Sequence, residues 1–129
     1  MTVYYAHSKM IYDSRREAEE LQFLTSLFGD RVICPNKHIG EQGNIEPYLE
    51  TVKKCKLLVC SEYRRFVGRG VYVEICCAVS EEIPIYCMRA KDESFKLFKV
   101  KSMQVHNERD WRINYAKITT NKKPSLLKD

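Results

Sequence analysis

Lys56-Leu57-Leu58-Val59-Cys60-Ser61 is a near-continuous apolar run in the middle of the chain. A strand with one wet face alternates apolar and polar residues, whereas an unbroken run of this length fits a strand buried on both faces of a parallel sheet. The flanking segments extend that reading. Upstream, Asn44 can cap a helix that tolerates Pro47 in its first turn and carries Ile45, Leu49, Val52 and Cys55 along one side. Downstream, a loop over 62–70 rich in arginine and glycine leads into a helix whose core side holds Val71, Ile75, Ala78 and Val79 and which ends near Glu82. Ile83-Pro84-Ile85-Tyr86-Cys87-Met88 then reads as a strand.

Toward the N-terminus the same alternation holds. Val3-Tyr4-Tyr5-Ala6-His7 is a β-branched and aromatic strand. Ser14 and Glu17 form a capping box for a helix with Ala18, Leu21, Leu24 and Phe28 at helical spacing and Gly29 as its stop. Arg31-Val32-Ile33-Cys34 is a second strand ended by Pro35, and 36–43 reads as a loop. Strands alternating with helices imply right-handed βαβ crossovers, hence an α/β fold with a parallel sheet of four or more strands and flanking helices. The pattern changes after residue 88. Residues 95–101 and 111–118 alternate as two amphipathic strands around a turn at 107–110, with a helix over 92–100 as the competing reading for the first of them. The expectation is a single domain over 1–129, made of a core over 3–88, a β-rich extension over 91–120 and a loose tail over 121–129.

Composition bounds the function. The chain has 129 residues, 44% hydrophobic and 30% charged. That is enough for one self-sufficient core without a metal or disulfide staple. No apolar run approaches the ~18 residues of a membrane span, and the first residues lack the basic start and apolar stretch of a secretory signal. These features predict a cytoplasmic domain with no membrane partner. The net charge of +5 comes mostly from Arg112, Lys117, Lys122, Lys123 and Lys128, against which stands Asp129 alone. No basic stripe interleaves with aromatics, which argues against a nucleic-acid partner. The six cysteines form no C-x-x-C pair and have no accompanying His-x3–5-His, so buried free thiols are expected, without a metal or cofactor.

In an open parallel sheet, ligands bind beyond the carboxyl ends of the strands. That rule selects 7–13, 35–43, 61–70 and 89–92. The most informative is Gly68-Arg69-Gly70-Val71-Tyr72-Val73-Glu74: glycines at a loop-to-helix junction admit a ligand close to the backbone, and a helix N-terminus favours an anion. Glu74 is the sole charged residue between Arg69 and Glu81. Composition alone leans toward a solvent-facing side chain; a functional carboxylate in an apolar site is the alternative. His7 and Ser8 end the first strand, where a ligand's polar groups would lie, and Lys9, Arg15 or Arg69 could neutralise an anion.

Tyr4-Tyr5-Ala6-His7-Ser8, Val32-Ile33-Cys34-Pro35-Asn36, the strand Leu57-Leu58-Val59-Cys60, Gly68-Arg69-Gly70-Val71-Tyr72-Val73-Glu74-Ile75-Cys76-Cys77-Ala78 and Ile83-Pro84-Ile85-Tyr86 together follow a known order. Over 3–88 the chain resembles the nucleoside 2-deoxyribosyltransferase-like superfamily, in particular its small prokaryotic members, which are related to the 2′-deoxynucleoside 5′-phosphate N-hydrolases. The resemblance implies a flavodoxin-like, or more broadly Rossmann-like, fold. It also implies a glutamate nucleophile at Glu74 that attacks the anomeric carbon, oriented by Tyr4, with the core role of Tyr4 as the alternative. Substrate contacts then fall to His7, Ser8, Asn36, Ser61, Gly68, Arg69 and Gly70. The chain departs from the pattern at Cys76, where relatives have glycine, at Gly68, where the hydrolases have serine, and over 61–67, which has Ser61 and Glu62 where transferases have an aspartate.

The expected function is therefore cleavage, or transfer of the base, at the N-glycosidic bond of a nucleoside or nucleotide, without a cofactor. The alternative is a non-catalytic nucleotide-binding module of the same fold. The resemblance also implies a homo-oligomer whose neighbouring subunits complete the site.

Overall fold

The computed structural model describes residues 2–40, 43–106 and 115–126. The first strand, β1 (Val3–Ala6), is fully buried. It precedes α1 (Arg15–Phe28), whose N-cap Ser14 accepts from the Glu17 amide at 3.1 Å and whose stop is Gly29, at φ 69°. Then come β2 (Val32–Ile33), a four-residue helix α2 (Pro35–His38) and α3 (Glu46–Lys54). The central run is β3 (Leu57–Ser61), buried at every position. It is followed by β4 (Phe66–Val67), α4 (Arg69–Ser80), β5 (Ile85–Lys91), β6 (Ser94–Val105) and β7 (Ala116–Thr120).

The seven strands among the described residues form one sheet in the order β2-β1-β3-β5-β6-β7-β4. The first four are parallel, and β6, β7 and β4 continue the sheet antiparallel. The fold is thus mixed α/β, with helices flanking a sheet that has a parallel half. Two hydrophobic clusters lie on its two faces. One joins Tyr4, Leu58, Cys60 and Cys87 to Val52 of α3 and Val71, Ile75 and Ala78 of α4. The other joins Val3, Tyr5, Val59 and Met88 to Leu24 and Phe28 of α1. Alternate residues of a strand point to opposite faces, so adjacent Tyr4 and Tyr5 serve different helix layers.

Several local expectations need correcting. Residues 36–43 are not all loop, because α2 occupies Pro35–His38, with proline pre-set for the first turn. Asn44 does cap α3, but from one residue further out: its Oδ1 accepts from the Glu46 amide at 2.9 Å while Ile45 holds the N-cap position. The capping box at α1 is half formed, since the Glu17 carboxylate turns to the Asp13 amide (3.0 Å) instead of closing on Ser14. The buried side of α1 runs through Glu17, Glu20, Leu24 and Phe28, leaving Ala18 exposed. On α4, Val79 is 59% exposed rather than core.

Strand β5 starts at Ile85 and runs on to Lys91, then turns at Asp92 and Glu93, both at positive φ (52° and 62°). That two-residue turn has the left-handed pair that matches hairpin twist. It makes Ser94–Val105 a strand and excludes the helical reading of 92–100. The first half of β6 pairs with β5. Its second half, beyond a register shift between Val100 and Ser102, pairs with β7. Residues 121–126 are not a loose tail throughout, because the Ser125 amide donates to Leu97 O at 2.7 Å. The turn expected at 107–110, and 111–114 of the second amphipathic segment, lie outside the described residues. Among the described residues no helix is long and apolar enough to cross a membrane. Cys34, Cys55, Cys60 and Cys87 are buried free thiols, Cys77 is half-buried and Cys76 is exposed.

Candidate active site

The parallel strand order reverses beside β1: the chain steps from β1 to β2 on one side and returns to β3 on the other. The carboxyl ends of β1 and β3 therefore open onto a crevice. Helix α4 begins there. Its turn geometry puts residues three and four apart on one side, so Glu74 falls in the same buried stripe as Val71, Ile75 and Ala78. Glu74 is only 6% exposed, and the Tyr4 hydroxyl, from fully buried β1, donates to its Oε2.

Burial pushes the Glu74 carboxyl up to about 7, against a smaller lowering by the hydrogen bond from Tyr4. The Tyr4 hydroxyl is itself held far above its ordinary range, first by burial and then by the charge of Glu74, so it stays protonated as a donor. A carboxylate with one fixed donor and little water is a poised group, whose charge changes in the neutral range.

Glu74 borders a cavity of about 590 Å³. Its lining also includes His7, Ser8, Gly68, Arg69 and Gly70, so six of the nine sequence-predicted site residues line one space. Tyr4 lies beneath Glu74. The Ser8 Oγ accepts from the Met10 amide at 3.1 Å and caps the short turn Lys9–Ile11. Arg69, the first residue of α4, places its guanidinium 5.7 Å from the Tyr115 ring centroid. Neither Gly68 nor Gly70 has positive φ, and a Cβ at Gly70 would meet open space. The glycines therefore answer no backbone demand; at Gly70 the missing side chain leaves the cavity open.

Asn36 and Ser61 are occupied elsewhere. Asn36 Nδ2 donates to Glu17 Oε2 at 3.0 Å. Ser61 Oγ donates to Glu20 Oε2 at 2.8 Å and borders a second hollow of about 390 Å³. His7 is 4% exposed and both its ring nitrogens face acceptors, Nδ1 the Tyr5 carbonyl (3.1 Å) and Nε2 Glu17 Oε2 (2.6 Å). Its ring also stacks on Tyr5 at 3.9 Å. Although it borders the cavity, its polar atoms serve the fold, which leaves Ser8, Lys9 and Arg69 to meet a ligand's polar groups.

Three groups escaped the sequence reading. Tyr12 and Tyr48 line the cavity beside Asn44 and Ile45 and supply its aromatic surface. Burial, and then the charge of Glu74, raise the Tyr12 hydroxyl above its ordinary range. The third group is a second buried tyrosine–glutamate pair on the opposite sheet face. Tyr5 donates to Glu20 Oε1 at 2.5 Å, and Arg16 donates to Glu20 Oε2 at 3.0 Å. The available signal was the 3–4–4 spacing of Glu17, Glu20, Leu24 and Phe28.

His7, Glu17 and Cys34 bring three metal-ligating atoms within 4.8 Å of one another. Their geometry is that of hydrogen bonding. Two ligands of one tetrahedral zinc stand about 3.4 Å apart, whereas His7 and Glu17 are 2.6 Å apart. Burial, with the charge of Glu17, also pushes the Cys34 thiol up to about 11, away from the thiolate a metal needs. Burial works against the charged form of Glu17 too, but donors from His7, the Asp13 amide and Asn36 outweigh it and hold the carboxyl below its ordinary range.

Comparison with protein-family models, curated proteins and solved structures finds no match for this chain.

Proposed function

We propose that the cavity binds a nucleoside or nucleotide and that Glu74 cleaves its N-glycosidic bond. The observation that carries this reading is the buried Glu74 carboxylate, held by Tyr4 and facing an aromatic-walled cavity at the crevice beside β1. The parallel half, in the order β2-β1-β3-β5, is of the flavodoxin-like kind, in which that crevice is the ligand site. The antiparallel strands β6 and β7 are the extension added to it.

Ionised Glu74 forms a bond from a carboxylate oxygen to the anomeric carbon as the bond from that carbon to the base nitrogen breaks. The electron pair leaves with the base, which takes up a proton from solvent water, and the proton that the attacking water or second base later loses returns to solvent. The oxocarbenium-like transition state is stabilised by the adjacent anion, and dividing the reaction at a glycosyl-enzyme replaces one high barrier with two lower ones. Water, or a second base, then attacks the same carbon and frees the carboxylate. Tyr4 keeps its proton throughout and fixes the carboxylate's orientation. Tyr12 and Tyr48 offer ring faces to the base, and Ser8, Lys9 and Arg69 offer polar contacts to the sugar and its substituents.

The test is release of free base from a panel of nucleosides, deoxynucleosides and their 5′-monophosphates. Release should require Glu74, with Glu74→Ala at least about a thousandfold slower, as for loss of a nucleophile. Since the nucleophile must be ionised, kcat/KM should rise with pH to a plateau above about 7. Ligand-induced thermal stabilisation with no base release would favour a binding module, and activity retained in Glu74→Ala would remove Glu74 from the mechanism.

A further inference from the structure

The Glu74 cavity is one end of a longer trough. It shares Ser8, Met10, Gly68 and Val71 with the second hollow, which in turn shares Arg16, Glu62 and Tyr63 with a third of about 720 Å³ beyond the ends of β3 and β5. The third hollow has a different character: five arginines face three glutamates. Three of those arginines have acidic partners, Arg15 with Glu19 (2.9 Å), Arg16 with Glu20 (3.0 Å) and Arg89 with Glu62 (3.5 Å). Arg64 and Arg65 make no salt bridge among the described residues, although Glu62 accepts the Arg65 amide and its charge acts on Arg65. On the floor, Arg89 faces Glu62 through Nε and donates through Nη1 to Thr120 Oγ1 at 2.8 Å, while its Nη2 and Glu62 Oε2 are buried with no hydrogen-bond partner among the described residues.

The backbone at Arg64 and Arg65 is held in place. They are the two central residues of the hairpin that brings the chain from β3 into β4, closed by Tyr63 N to Phe66 O (2.8 Å) and Phe66 N to Tyr63 O (2.9 Å). Both have positive φ, 51° and 73°. Such a turn favours Asn-Gly, and two arginines there impose backbone strain. The Ile118 amide of β7 donates to Arg65 O at 2.8 Å and holds the turn from the other side. The Arg64 guanidinium also lies 5.3 Å from the Tyr63 ring centroid. Two exposed arginines on a held turn at a concave rim suit phosphate oxygens, which guanidiniums bind in pairs.

We infer that the ligand carries two or more linked phosphates on the side of its sugar away from the base, and that these run along the trough from the Glu74 cavity to Arg64 and Arg65. This rests on the glycosidic reading of the Glu74 cavity and adds the substrate class: a nucleoside diphosphate, or two nucleosides joined through pyrophosphate. A nucleoside or monophosphate would fill the first cavity and leave the arginines unused.

Isothermal titration calorimetry with the full chain tests the inference. Its probes are the four common bases as nucleoside, 5′-monophosphate, 5′-diphosphate and 5′,5′-pyrophosphate-linked dinucleotide. The diphosphate or the linked dinucleotide should bind about tenfold or more tighter than the monophosphate, and the one that gains most identifies the source of the phosphates. The variant R64N/R65G installs the turn's preferred pair and so keeps the hairpin. It should abolish that gain while leaving nucleoside and monophosphate affinities unchanged. Equal affinities across the phosphate series would overturn the inference, as would equal losses for nucleoside and diphosphate in the variant. The glycosidic reading is read separately: base release that survives Glu74→Gln removes that reading, while the phosphate-dependent gain, measured as binding alone, stands or falls on R64N/R65G.

Discussion

At the scale of the residue, the site depends on one carboxylate in an unfavourable place. Burial raises Glu74 from its ordinary 4.5 to about 7. Between those values the folded chain holds a proton that the unfolded chain has released, so the stability supplied by this group falls as pH rises through the window, by about 3 kcal/mol in all. Glu74→Gln removes the titration and still accepts from Tyr4. Urea denaturation should show the variant more stable than the wild type by about that amount at pH 8, and nearly equal to it at pH 4. Tyr4→Phe removes the donor that lowers the carboxyl, so the rising limb of the pH–rate profile should move to higher pH. Base release near neutrality should fall about tenfold to a hundredfold, the worth of a hydrogen bond to a charged group. The importance of Glu74 was legible as a single charge in an apolar helix. The spacing of Val71, Ile75 and Ala78 also placed it on the buried face, a stronger indication than composition, which leaned the other way. The buried roles of Glu17 and Glu20 were signalled only by their spacing with Leu24 and Phe28, and two carboxylates within a charged helix start read as solvated until their partners Tyr5, His7 and Ser61 are known.

At the scale of the element, sequence periodicity served long segments and failed short ones. Strands β1, β3 and β5 and helices α1, α3 and α4 follow from apolar spacing and capping residues, whereas two-residue β2 was legible only as a short apolar run ended by Pro35. The two-residue β4 and four-residue α2 carry too few positions for any period, and tertiary contacts decide them. The turn at Asp92-Glu93 lacks the glycine or asparagine that marks a hairpin, which is why a helix over 92–100 competed. Strands β6 and β7 also have a role that sequence alone did not suggest. By pairing Phe66 with Lys117 and Val67 with Ala116, β7 fixes the segment that leads into Gly68 and α4. Ile118 is 1% exposed within that arrangement. Ile118→Ala should cost about 2–4 kcal/mol, the usual range for emptying such a site, read as a lowered urea midpoint. It should also reduce ligand affinity, because the loop it supports borders the second hollow.

At the scale of the whole molecule, charge and shape meet along one edge of the sheet. The C-terminal basic residues account for most of the net charge of +5. The arginines at positions 15, 16, 64, 65 and 89, however, gather beyond the ends of β3 and β5 on the side where the Glu74 cavity opens. Sequence order scatters them among acidic neighbours, and only the fold assembles them. Covalent bonding of Glu74 to the sugar is read by intact-mass spectrometry of the protein quenched in acid during turnover, followed by peptide mapping. A mass increase equal to the glycosyl group should appear, located to the peptide containing Glu74 and absent from Glu74→Gln. Base release with no adduct at Glu74 under conditions that accumulate the intermediate, or an adduct on another residue, would contradict it.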